Sequence, residues 1–309
     1  MNPDLALAGA AALADCGAIR ACGADAASFL HGQLTSDITS LGLSQARLAG
    51  YCSPKGRLLA SFVVWKMSET ELMLACGADM LPATLKRLQM FVLRAKCQLS
   101  DASPEVQLYG LVGTAADTWL GNAAPSHAWG KAEHAGCSVI RLPDAAGKSR
   151  YLCASESAPP LPMLSLDLWH WLEVRSGVAR IQHATTEQFV PQMLNYELLG
   201  GVDFGKGCYP GQEVVARSHY RGTLKRRSLL FELDGLAAAG QEVFHSEDPA
   251  QPAGQVVNAA PHPPWMQAGG VALVELKLAA LSSGSLHLAS PSGPELRRID
   301  LPYAVPLER

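Results

Sequence analysis

Apolar residues fall at helical spacing in 25–34, where Phe29, Leu30 and Leu34 share a face behind Asp25 as a candidate cap, and Thr35-Ser36-Asp37 then turns the chain. The run Leu58 to Trp65 is apolar, β-branched and aromatic. It follows a turn signal at Tyr51-Cys52-Ser53-Pro54-Lys55-Gly56-Arg57, so it predicts a strand, with Glu71 to Cys76 as its return. Leu85, Leu88 and Val92 predict a helix from about Pro82 to Val92. Between about 100 and 162 the chain turns to Ala, Pro, Ser and Gly, with strand-like islands at 106–112 and 138–142, which predicts a second, looser α/β unit. Ser165 is placed to cap a helix through Trp169, Trp171 and Leu172 that Gly177 closes. Short alternating strands follow at 228–233, 242–245, 255–257, 271–278, 285–289 and 296–301, the pattern of a small β-barrel or sandwich. The reading is an α+β protein: an α/β region over 1–222 that divides near 100, then a C-terminal β-barrel domain over 223–309.

Composition narrows the chemistry. Hydrophobic residues make up 48% and charged residues 17%, enough for a sizeable core, and a net charge of -3 leaves any nucleic-acid contact to a local patch. The eight cysteines are scattered without a CxxC pair or zinc spacing, which predicts reduced thiols, a cytoplasmic location and no structural metal. The apolar stretch Leu5 to Ala14 follows Asp4 rather than a cation and is not read as an export signal, and no run is long enough to span a bilayer.

The segment from Phe189 to Arg227 holds most of the candidate chemistry. Gly200, Gly201, Gly205, Gly207 and Gly211 suit a loop that wraps a ligand or simply joins two units. Gly200 to Lys206 satisfies GxxxxGK, but Gly207 stands where a phosphate loop needs a magnesium-binding hydroxyl. Cys208 lies two residues from Lys206 and just ahead of a helix that Pro210 would open and Gln212-Glu213 would continue. Both features favour a thiolate, although a buried, inert cysteine is the alternative. Arg217, Arg221, Lys225, Arg226 and Arg227 then form a run free of acidic residues that would suit carboxylates, phosphates or tRNA, or form a solvated face.

KGCYPGQEVVAR, from Lys206 to Arg217, resembles the K-G-C-[FY]-x-G-Q-E signature of the YgfZ family. FLHGQLTSDI, YCSPKGRLLASF and RIQHATTEQFVPQMLNYELLGGVDF extend the resemblance over most of the chain. It implies a fold like the aminomethyltransferase T-protein, three lobes around a central channel that binds tetrahydrofolate or a one-carbon derivative. It also implies links to iron-sulfur enzymes and tRNA modification.

On this resemblance Cys208 and Lys206 are the candidate catalytic residues. Trp169, Gly207, Tyr209, Gly211, Gln212, Glu213, Arg217, Gln33 and Asp37 are candidate folate-binding residues. Trp169 aligns with a folate-contacting tryptophan and would offer a face to a pterin, while Trp171 is expected in the core. A second such tryptophan is replaced here by Cys16. Asp37 and Glu213 have alternative roles as a turn residue and a first-turn helix charge. Three functions stay open: a folate-dependent accessory protein acting through Cys208, an aminomethyltransferase, and a non-enzymatic folate or tRNA binder.

Overall fold

The computed structural model describes residues 6–220 and 224–306. The strands in chain order are β1 (Gly9–Ala12), β2 (Cys16–Cys22), β3 (Ala46–Cys52), β4 (Leu58–Ser68), β5 (Glu71–Gly77), β6 (Gln98–Asp101), β7 (Gln107–Val112), β8 (Lys131–His134), β9 (Cys137–Ala145) and β10 (Lys148–Ser155). They form two five-stranded sheets, ordered β3-β4-β5-β2-β6 and β1-β7-β10-β9-β8. Both are antiparallel, with Ile19 opposite Leu74 in one and Leu152 opposite Gly110 in the other. The chain enters through the second sheet, because β1 pairs with β7 before β2 joins the first.

The last six strands, β11 (Arg226–Leu233), β12 (Glu242–His245), β13 (Asp248–Pro261), β14 (Gly270–Lys277), β15 (Leu286–Leu288) and β16 (Glu295–Ile299), close into a barrel. Closure leaves no open sheet edge, and Leu229, Phe231, Val243, Val256 and Val274 fill its interior. The protein is thus α+β, two sheet-based lobes with few helices and a C-terminal β-barrel. The expected junction at 222/223 lies outside the described residues.

The Leu166–Arg175 helix ties these parts together. The Ser165 hydroxyl accepts the Leu168 N–H at 3.3 Å, and Gly177, at φ +69°, follows the last turn, so both expected caps are present. The helix packs on β13 and β14 of the barrel and on β1 and β9 of the second sheet. After it, a strap through 178–182 is held on both sides. Asn258 of the barrel exchanges two 2.9 Å hydrogen bonds with the Arg180 backbone, and Ser61 of β4 accepts the Ile181 N–H.

Two local expectations change. Asp25 does not cap the Ala26–His31 helix, since its carboxylate accepts the Lys96 N–H at 2.7 Å instead. Gly113–Leu120 and Lys148–Ser155, absent from the sequence reading, are a helix and a strand. No described helix is long and apolar enough to cross a membrane.

Candidate functional site

A cavity opens where the two sheets, the Leu166–Arg175 helix and the 178–182 strap meet. Counted out through its open mouth, solvent included, its empty space is about 670 Å³. Leu13, Leu48, Phe62, Leu108 and Leu152 give it an apolar wall, into which Arg150, Trp169, Glu173, Arg180 and Cys16 bring polarity.

Trp169 is 1% exposed. The Gly110 backbone lies against its indole so closely that a β-carbon there would stand 2.2 Å from Cε3. The Arg150 guanidinium lies over the ring, 4.6 Å from its centroid. The expected stacking surface is therefore shared with a cation, and the indole N–H is left buried without an acceptor. Trp171 lies in the core beside Arg175, as expected, and does not line the cavity.

Cys16 is in the cavity wall, where the resemblance placed it. Burial pushes its thiol pKa far up, although Arg180 donates to its Sγ at 2.8 Å. Arg180 is also bound by Asp15, 2.5 Å away, which takes a second contact from His170 at 3.0 Å. Burial opposes the Asp15 charge, but these two partners outweigh it and hold the carboxyl well below the usual range. The sequence reading missed Arg150, Glu173 and Arg180. The available signal was an arginine that alternates onto the same face as Leu152 and Ala154 in KSRYLCAS.

Cys208 lies elsewhere. All eight cysteines are free and it is the exposed one, two residues beyond Lys206 and just ahead of the Gln212–Tyr220 helix. It is not among the residues that line this cavity. Lys206 turns inward and donates to the carbonyls of His31 and Leu34 at the end of the Ala26–His31 helix, with the Tyr209 ring 4.7 Å away. Burial lowers its pKa to about 8, against the pull of Asp37, Asp203 and Cys208.

The other signature residues hold this loop in shape. Gln212 donates to the Lys206 carbonyl at 3.4 Å, and Tyr209 is buried. Gly207 stands beside the His31 ring. Gly211 has φ +79° and faces Gly56, at φ +72°, so closely that a β-carbon on Gly211 would be 2.4 Å from the Ser53 carbonyl. Both positions therefore require glycine.

Gln33 and Asp37, expected along the channel, do not line the cavity. Asp37 takes the turn role, accepting from Thr39 N and Oγ1 at 2.9 and 2.7 Å and from Ser40 N at 3.2 Å, beside His31 Nδ1 at 2.8 Å. Burial disfavours its charge, but the Ser40, Thr39 and His31 contacts prevail and keep its pKa far down. Gln33 Oε1 is buried without a donor.

Cavity and loop are joined through the wall. Trp129, which lines the cavity, donates to Leu199 O at 3.1 Å, and Gly201 lies against Leu48. Gly201 O then accepts from Thr35 Oγ1 at 2.6 Å, and Asp203 N donates to Thr35 O at 2.9 Å, three residues before Lys206.

The basic run divides. Arg227 is buried, ion-paired to Glu197 and hydrogen-bonded to Gln192 O at 3.0 Å, so it cannot reach a phosphate. Arg226 forks onto Glu275 of β14. Arg217 pairs with Glu213 at 2.8 Å on the open surface and Lys225 is exposed, while Arg221 lies outside the described residues. Among the described residues no group of three or more His, Cys, Asp or Glu could hold a metal ion.

No protein-family model matches the chain. Among known sequences it is 33% identical over 248 residues to the tRNA-modifying protein YgfZ of Edwardsiella ictaluri, covering 71% of this chain and 69% of that one. It is 30% identical over 247 residues to the same-named protein of Colwellia psychrerythraea, covering 76% and 74%. With that of Sodalis glossinidius it is 28% identical over 300 residues, covering 92% and 89%. Among solved structures, the glycine cleavage system aminomethyltransferase T of Bartonella henselae superposes with a TM-score of 0.74, over 98% of this chain and 86% of that one. At 17% identity the likeness is one of fold.

Proposed function

This chain belongs to the YgfZ family, and on that premise we propose that it binds tetrahydrofolate or a one-carbon derivative in the Trp169 cavity and acts through the Cys208 thiol in support of tRNA modification and iron-sulfur enzymes. The observation that carries the reading is the cavity itself: a largely apolar, half-open space whose wall includes buried donors, Trp169 Nε1 and Arg150 Nε, that lack acceptors. A pterin ring is flat, mostly apolar on its faces and rich in acceptors at its edge, so these residues fit it. When bound, the folate supplies a one-carbon unit.

The chain's own groups divide the remaining work. Trp169 and the aliphatic wall hold the ring and exclude water. Lys206 and Gln212 hold the loop that presents Cys208 to solvent, where a partner's electrophilic or sulfur group can reach it. Arg217 and Lys225 remain as exposed cations for a tRNA backbone.

Calorimetric titration of tetrahydrofolate and its methylene derivative tests the reading. Wild type binds, Trp169→Phe, which removes only the indole donor and part of the surface, binds about 5- to 20-fold more weakly, and Cys208→Ala binds as wild type. Cys208→Ala fails to support iron-sulfur enzymes in cells. Wild type that binds neither folate, or full complementation by Cys208→Ala, overturns the corresponding half.

A further inference from the structure

Arg150 is 2% exposed, yet it has almost no protein acceptor. Its Nε has none, and Nη1 reaches only the Pro143 carbonyl, at 3.4 Å. No carboxylate among the described residues pairs with it. Glu173 attracts it through space, but burial prevails and lowers its pKa to about 10. The indole beneath it steadies the charge without accepting an N–H. Trp169 Nε1 is a second buried donor with no acceptor in the same wall.

The other arginine of the cavity shows what a satisfied one looks like. Arg180 spends its guanidinium on Asp15 and Cys16. A buried guanidinium left as Arg150 is left is costly unless something absent from the chain completes it. A buried position in the wall of an apolar cavity suits a neutral, polarised oxygen better than a free carboxylate, which would lose more hydration there than in an exposed position.

We propose that Arg150 is the specificity residue of this cavity. It takes a flat heteroaromatic ligand with a carbonyl oxygen on its ring edge, and that oxygen accepts from the Arg150 guanidinium with the Trp169 N–H as a second donor. The inference rests on the reading that a reduced folate occupies the cavity, and it identifies the 4-oxo edge of the pterin as the part that is recognised. The ligand is gripped by its oxygen edge as much as by its face.

A pair of ligands separates this inference from the reading beneath it. Tetrahydrofolate and its 2,4-diamino analogue differ at position 4, where the acceptor oxygen becomes an amino donor. They are titrated calorimetrically into wild type, Arg150→Met and Arg150→Lys, and each ligand-free protein is melted. Wild type prefers the 4-oxo ligand by about 10- to 100-fold, the range of a hydrogen bond to a charged donor. Arg150→Met brings that preference to within about 3-fold and melts no lower than wild type, because an orphaned charge has gone. Arg150→Lys, which keeps the charge but not the planar fork, retains part of the preference.

Equal binding of both ligands by wild type, or an undiminished preference in Arg150→Met, overturns the inference and leaves the folate reading standing. A melting temperature of Arg150→Met well below wild type marks a structural charge and also overturns it. Absence of binding of either pteridine to wild type removes both.

Discussion

Around the cavity, Arg150 and Trp169 are buried with donors unpaired, whereas along the loop from Gly200 to Tyr220 the polar groups are turned onto the protein itself. Lys206 takes helix-end carbonyls, Gln212 takes the Lys206 carbonyl, Asp203 takes the Gly205 N–H and Glu213 takes Arg217. The Cys208 thiol is left exposed. Unsatisfied buried donors mark where a ligand adds binding free energy, while a self-satisfied loop marks where the protein has fixed a geometry in advance. On the proposed reading, holding a ligand and presenting a thiol fall to two places, which are joined through Trp129, Leu48 and Thr35.

The sharpest test of that difference sets two buried arginines against each other. Arg227, 3% exposed, is answered at Nη1 by Glu197, Gln192 O and Asn195 Oδ1, although its Nε is unpartnered as that of Arg150 is, while Arg150 has one long contact and no carboxylate. Arg227→Met strands a buried Glu197 and lowers stability by about 3–5 kcal/mol, read as the shift in urea unfolding. A loss below about 1 kcal/mol means that Glu197 escapes to water and that the two arginines are not opposites.

A smaller effect tests how firmly the loop is closed. Between pH 8 and 10.5 the folded protein binds fewer protons at Lys206 than the unfolded chain, because its pKa is lowered from 10.5 to about 8, so this group's contribution to stability rises with pH across that window. Lys206 retains some solvent contact, so screening reduces the gain to about 1 kcal/mol. The stability of wild type relative to Lys206→Met is expected to grow by that amount from pH 7.5 to 10 in paired urea titrations. A flat difference shows a hydrated ammonium and a loop standing away from the helix end.

How legible these regions were follows from how local their signals are. The six barrel strands, the Ser165 and Gly177 caps and the helix after Pro210 could be read because caps and short alternating strands are written within a few residues. Strands such as GAAA, CGAIRAC and ARLAGYC were not, because Ala, Gly and Cys carry weak strand preference and β3 is buried on nearly its whole length, which erases alternation. The loop motif announced itself for the same local reason. Arg150 and Arg180 did not, since the absence or presence of a partner depends on residues tens of positions away, such as Asp15 and Asn258.

The faintest expected effect lies on the loop's outer face. Glu213 and Arg217 form an exposed i, i+4 pair, with side chains 85% and 64% exposed, and such a pair contributes only about 0.3–0.5 kcal/mol. Glu213→Gln should therefore barely move the unfolding midpoint, and 1 M salt should erase even that shift. The same substitution removes a negative charge beside Arg217 and frees its guanidinium. If Arg217 meets a phosphate of tRNA, Glu213→Gln tightens tRNA binding about two- to fivefold at low salt, and Arg217→Gln reduces the dependence of affinity on salt by roughly one counterion. An affinity and a salt slope that stay fixed in both variants take Arg217 out of any RNA surface and leave it as half of a solvated pair, making this face of the loop as self-contained as its inner one.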